Sequence, residues 1–263
     1  MKRTINGAAA LVLLLSTAAV RAGEMSVGDI VEKANQAAYY AGKDGLSDVR
    51  MTIVDEEGDK RTRKFRVLRY TMPDGKDQRF YVYFTAPADV RKMAYLVWKH
   101  VENDDDRWLW LPALNLVKRI APGDKRTSFV GSDFVYEDVS GRGVHEDKHE
   151  LVKTTEAHYL VRNTPRDADA VEFSYYNVWI DKKTFLPVKA EYYDKKDLLY
   201  RRVQALEVRE IEGFPTVVTS VASDLRSGSS TTNVFDNIDY NIGLDKRIFT
   251  ERFLRRPPRE ATR

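Results

Sequence analysis

The 263-residue sequence contains no cysteine. That excludes disulfides, thiolate zinc sites, iron–sulfur clusters and cysteine nucleophiles. It has four histidines, no G-x-S-x-G elbow and no phosphate-binding glycine loop, so it lacks the motifs of serine hydrolases and nucleotide enzymes. There is no low-complexity linker and no internal repeat. After residue 22 no apolar run approaches the ~20 residues of a membrane-crossing helix. A charge excess of one sign is also missing. The chain has 43 Lys and Arg against 40 Asp and Glu; residues 1–22 hold three bases (Lys2, Arg3, Arg21) and no acid, so without them 40 bases face 40 acids. The basic balance thus belongs to the leader and gives little support to a nucleic-acid partner.

What is present begins with that leader. Lys2 and Arg3 precede an apolar stretch, Ala8–Val20, and Val20-Arg21-Ala22 sets small residues around a cleavage point after Ala22. This is the pattern of a secretory signal peptide, and the stretch is too short for a membrane anchor. The sequence therefore predicts a signal peptide over 1–22, a single domain over 23–255 and a flexible basic tail over 256–263, with the mature protein in the periplasm or secreted. With no cysteine at the cleavage point, no lipid anchor is expected there.

One helix is legible. Ser26 is its N-cap, with Asp29 three residues on; Val27, Ile30, Val31, Ala34, Ala37, Ala38 and Ala41 recur at helical spacing, and Gly42 is placed to stop it. Its face is mostly alanine. Beyond it the apolar pattern has period two. Strands are expected at Val49–Ile53, Lys60–Thr71, Phe80–Phe84, Tyr95–Val101, Trp108–Leu111 and Leu116–Ala121. After an irregular, glycine-bearing interval at 122–147, they resume at Leu151–Thr155, His158–Arg162, Val171–Asp181, Val188–Asp194, Leu198–Ile211, Phe214–Leu225 and Thr231–Tyr240. Short turns of Gly, Pro, Asn and Asp separate them. So many strands with one early helix imply a mainly β fold, a large antiparallel meander curled into an unclosed barrel.

Several motifs bear on chemistry. His145-Glu146-Asp147-Lys148-His149 matches the H-E-x-x-H zinc-protease pattern, which needs a helix to bring both imidazoles to one face. The glycines before it and the β-branched residues after it favour a strand, so the match reads as chance and no metal, cofactor or enzymatic activity is expected. His100 and His158 stand alone in strand patterns. Asp104–Asp106 lacks a calcium loop and reads as a turn. The basic run Lys60–Arg69 is expected on an exposed or edge strand, protected from edge pairing by its cations; contact with anionic lipid headgroups is a second reading, and nucleic acid a poor third. The aromatic residues are more informative. A wide curved sheet with one small helix to fill it leaves an apolar cavity. Alternation groups Phe80, Val82 and Phe84 on one face, Leu96 with Trp98 on another, and Trp108 with Trp110; these and Trp179 are the candidate cargo-binding residues. Alternation leaves open which face points inward.

The run Trp110-Leu111-Pro112-Ala113-Leu114, then Val117–Ile120, then Ser128-Phe129-Val130-Gly131-Ser132-Asp133-Phe134-Val135-Tyr136-Glu137-Asp138, with the late Asp245–Thr250, resembles the signature of the LolA-like outer-membrane lipoprotein-sorting family. The likeness is to its larger, mostly uncharacterised branch, which is often associated with inner-membrane exporters of the resistance-nodulation-division (RND) type. It implies an unclosed β-barrel of the LolA/LolB kind with a helical or loop lid over a hydrophobic cavity, and an acylated or lipid-like cargo. Phe129, Phe134 and Tyr136 are then candidates for the lid or rim, or alternatively for anchors of a structural loop. The expected function is a monomeric periplasmic carrier of lipoprotein or lipid cargo toward the outer membrane, served by an inner-membrane exporter and an outer-membrane receptor. A lipid-sensing interaction module acting on a membrane partner is the alternative.

Overall fold

The computed structural model of the protein describes residues 25–263; the signal-peptide reading lies outside the described residues. Helix α1 spans Val27–Tyr39, and Ser26 caps it by accepting from the Asp29 amide at 3.1 Å. Its buried side chains are Ile30 and Ala34, which pack on Val161 and Ile180 of the sheet. The helix ends two residues earlier than the alanine spacing suggests, and Gly42 then takes a positive φ of 65°.

The strands are β1 (Asp44–Val54), β2 (Lys60–Thr71), β3 (Gln78–Ala86), β4 (Ala94–Lys99), β5 (Asp106–Leu111) and β6 (Leu116–Ile120). A second series follows: β7 (Asp147–Thr154), β8 (His158–Pro165), β9 (Tyr175–Asp181), β10 (Pro187–Tyr193), β11 (Leu199–Ile211), β12 (Phe214–Asp224) and β13 (Ser230–Tyr240). They form one 13-stranded sheet in the order β6-β5-β4-β3-β2-β1-β13-β12-β11-β10-β9-β8-β7. The pairs are antiparallel and the curved sheet stays unclosed. Two meanders are thus joined along β1 and β13, where Val49 faces Phe235 and Val54 faces Ser230. Tight turns set the hairpin registers. Between β11 and β12, Glu212 and Gly213 both have positive φ (51° and 82°) and Ile211 faces Phe214, the geometry that matches strand twist in a two-residue hairpin.

The structure differs from the sequence reading in four places. β2 lies inside the sheet between β1 and β3, not at an edge; only its first residues, Lys60–Lys64, project as a solvated end. Strand β9 starts at Tyr175, because Val171 and Phe173 are buried as loop anchors beside Tyr192 and Tyr200. The irregular interval carries a short helix, α2 (Tyr136–Ser140). Finally, the C-terminal residues are not a frayed tail. They form α3 (Arg252–Arg255) and α4 (Arg259–Thr262), and Leu254 and Ala261 are each 1% exposed.

Those elements create two different halves. The inner face is the one that carries α1. Under β1–β6 it is filled: Phe65, Phe80, Val82, Phe84 and Tyr95 meet Phe129, Phe134 and Tyr136 from the segment that links β6 to β7. The outer face of the same strands is covered too, with Tyr81, Leu96, Trp108 and Trp110 packed beneath Ile248, Phe249 and Leu254. Under β7–β13 the inner face is covered by α1 and, toward the junction with the first half, by the Val171–Phe173 loop and the segment that links β6 to β7; among the described residues no helix packs on the outer face.

Candidate functional site: the cavity beneath the first helix

The Ser128–Asp138 run, the most distinctive stretch of the sequence, builds one wall of the site. Phe129 is its centre. It lies 5.9 Å from the Phe84 ring, 5.5 Å from Tyr95 and 5.5 Å from Tyr136. Gly131 supplies a positive φ of 73° for the reversal, and Ser132 closes it by donating to the Phe129 carbonyl at 2.7 Å. Asp133 accepts from Thr231 of β13 at 2.6 Å. Asp138 caps α2 by accepting from the Val135 amide at 2.7 Å and pairs with Arg201 of β11.

Between these lies Glu137, 2% exposed. It faces three cations: Lys125 at 3.2 Å, Arg126 at 3.0 Å and Arg142 at 3.3 Å. Burial alone would raise its carboxyl, but the Arg126 guanidinium, with Lys125 and Arg142, holds it down at about 2. Arg142 continues the network to Glu146 and Asp147, both at 2.9 Å, and Arg126 reaches Glu172 at 2.7 Å. Arg126 lies over both the Phe173 and the Tyr192 ring, at 5.1 Å from each. A planar cation that stacks and hydrogen-bonds at once is suited to such a buried junction. Lys99 is buried as well and donates to the Gly141 carbonyl at 3.0 Å; burial pushes its ammonium down. Gly141 has a φ of 78°, and a Cβ there would come within 2.5 Å of the Tyr39 ring at the end of α1. The wall and the helix therefore meet through a position only glycine fits.

Beyond this polar wall lies a cavity of about 490 Å³. α1 contributes Val31, Ala34, Ala37 and Ala38 to it; the sheet contributes Val161, Val178, Ile180, Val203, Val217 and Phe235. The alanines keep the helix from filling the space it roofs. The sheet's share is mostly β-branched, as its half-buried face favours, with Phe235, Tyr176 and Tyr192 as larger members. Phe80 and Val67 form the end next to the filled half.

Of the expected cargo-binding residues, Phe80 alone lines this cavity. Val82 and Phe84 share its face but are sealed in the filled half by Phe129. Leu96, Trp98, Trp108 and Trp110 lie on the outer face beneath the C-terminal segment; Trp98 donates to the Phe249 carbonyl at 2.8 Å. Trp179 is also outward, with the Lys189 ammonium 3.5 Å from its ring centre. Phe129, Phe134 and Tyr136 are core anchors and line no part of the cavity; the residues after them, Glu137–Val139, do. The sequence reading missed the valines and alanines because it favoured large aromatics. The alanine face of α1 was the available signal.

The His145–His149 match has no helical context. Val144–Glu146 is a single 3-10 turn and His149 lies in β7. The His149 ring nitrogens are taken by Asn163 at 2.7 Å and the Val144 carbonyl at 2.9 Å, and Glu146 is committed to Lys125 and Arg142. Among the described residues no group of three His, Asp or Glu is disposed to hold a metal.

The unclosed antiparallel sheet with a helix across an apolar cavity is a fold shared with several solved proteins. A LolA superfamily protein from Nitrosomonas europaea superposes with a TM-score of 0.69 at 18% identity, covering 88% of this chain and 100% of its own. A putative outer membrane lipoprotein-sorting protein domain from Vibrio parahaemolyticus does so at 0.77 and 25% identity, covering 86% and 97%. A DUF1329 family protein from Desulfovibrio piger is 32% identical, with a TM-score of 0.79, covering 86% of this chain and 96% of that one. A family model whose description is "Uncharacterized protein" matches residues 76–256. The chain belongs to the DUF1329 family. Among curated proteins none matches it.

Proposed function

We propose that this protein is a non-enzymatic periplasmic carrier that shelters an acylated, lipid-like cargo in the cavity beneath α1. The observation that carries the reading is that cavity: about 490 Å³, largely apolar, roofed by one alanine-faced helix. Its size is within the ~300–1,000 Å³ of small-molecule sites. An alkyl chain in water costs about 0.8 kcal/mol per exposed methylene, so a chain crossing an aqueous compartment needs such a shelter. The leader-like residues 1–22 support the periplasmic placement. The likeness to a putative outer membrane lipoprotein-sorting protein domain supports an acylated cargo; the partners in this reading are an inner-membrane exporter that loads the carrier and an outer-membrane receptor that unloads it.

The test is binding of a dansyl-labelled fatty acid to the mature protein, followed by fluorescence. Saturable binding is expected, weakened by about tenfold or more in Ala38→Phe, whose ring takes space that several methylenes would occupy. A wild-type protein that leaves the probe in water, or an Ala38→Phe variant that binds it equally well, overturns the reading. One observation favours the interaction-module alternative. The uncovered outer face of β8–β10 presents the stacked pair Tyr175 and Tyr193, 4.7 Å apart, with Arg162 over Tyr175 and Lys189 over Trp179.

A further inference from the structure

We infer that the cavity takes one alkyl chain and leaves the ligand's polar head outside, so that its ligands are single-chain lipids (free fatty acids or lysolipids) and not diacyl lipids or triacylated lipopeptides. This rests on the carrier reading and narrows it.

Volume decides how many chains enter. An apolar cavity of about 150 Å³ holds one benzene, six carbons. By that measure 490 Å³ holds about twenty carbons, the content of one common acyl chain. Two such chains need roughly twice the space and three need more. The walls offer little give. On one side stands the Phe129 cluster, joined to the sheet through Asp133 and Asp138; on another is the buried Glu137 junction. Close-packed interiors of this kind resist expansion.

Charge decides where the head lies. A carboxylate or phosphate drawn inside would need an uncommitted cation, since an unpaired buried charge is too costly. The cations on the cavity wall are already engaged. Arg69 donates to the Ala41 and Gly42 carbonyls. Arg142 is held by Glu137, Glu146 and Asp147. Lys189 sits over Trp179 and 3.4 Å from Glu191. The interior is therefore mostly apolar and, among the described residues, leaves no lysine or arginine free for an anionic head.

The experiment is native mass spectrometry and probe displacement on the mature protein with four ligands: palmitic acid, palmitoyl lysophosphatidylethanolamine, dipalmitoyl phosphatidylethanolamine and a triacylated lipopeptide. One-to-one binding of the first two, with the last two weaker by at least about a hundredfold, is expected. In a fatty-acid series affinity should rise by about fourfold per added methylene, then level off near twenty carbons. Palmitic acid bound without the lysolipid would place the head inside and overturn that half of the inference. Equal binding of the diacyl lipid or the lipopeptide would overturn the single-chain assignment and leave the carrier reading standing. Binding of none of the four would overturn the carrier reading itself.

Discussion

The two halves of the sheet solve the same burial problem differently. Strands β3–β5 are buried on both faces, and both faces of this half are covered: the Phe129 cluster fills the inner side and the C-terminal helices roof the outer side. In the second half, β8 and β9 bury smaller side chains such as Val161 and Ile180 beneath α1, and the helix spans them without filling the space. The first half reads as scaffold, the second as container. The proposed carrier role needs both, because a cavity persists only where something rigid frames it.

Mutations that hit the scaffold should cost most. Phe129→Ala removes the ring at the centre of four aromatic contacts and should destabilise the fold by about 4 kcal/mol, read from chemical denaturation; a loss below about 1 kcal/mol would deny the filled half its framing role. Glu137→Gln strands three cations at the junction of the halves and should cost about 3 kcal/mol. Acid tests the same group without mutation. The Glu137 carboxyl lies at about 2 in the fold against 4.5 ordinarily, so its stabilisation is complete above about pH 4.5. It is lost as pH falls from there through about 2, a span worth about 3 kcal/mol. The acid slope of the wild type should flatten in Glu137→Gln, and an unchanged slope would remove Glu137 from the junction. Gly141→Ala forces a Cβ against Tyr39 and strains a positive φ, for about 2 kcal/mol. Its melting point should fall, and probe affinity should change with it because the end of α1 is displaced. The smallest effect belongs to the container: Ala38→Phe should shift stability by less than about 1 kcal/mol while impairing probe binding. A large loss there would mean that the second half is packed like the first.

The same contrast explains what the sequence disclosed. Period-two alternation and turn residues located every strand, because each hairpin is local and punctuated by Gly, Pro, Asn or Asp. The cap at Ser26 located α1. Orientation was not legible where both faces are apolar: Phe80, Val82 and Phe84 alternate with Tyr81 and Tyr83, so no polar side marks the outside. Strands apolar on both faces imply two covers. The second was written in the spacing of Leu244, Ile248, Phe249 and Leu254 and is completed by Ala261, which the basic residues and the Pro257-Pro258 pair disguised as part of a tail. The cavity residues were hidden for the opposite reason. Alanine and valine carry a weak signal individually, and only the fold assembles them.

Every ladder in the sheet but one joins strands adjacent in the chain; the exception joins β1 to β13. Hairpins close quickly, whereas a pairing such as Gly45 with Tyr240 must pay the loop entropy of nearly the whole chain. Each meander can therefore form early and alone, and the seam between them zips last. Gly45 and Ser47 of β1 and Phe235 and Ile238 of β13 all line the cavity. The chamber then comes into being only at the final folding step, and a chain whose seam is still open has no cavity in which an apolar molecule could lodge before folding is complete.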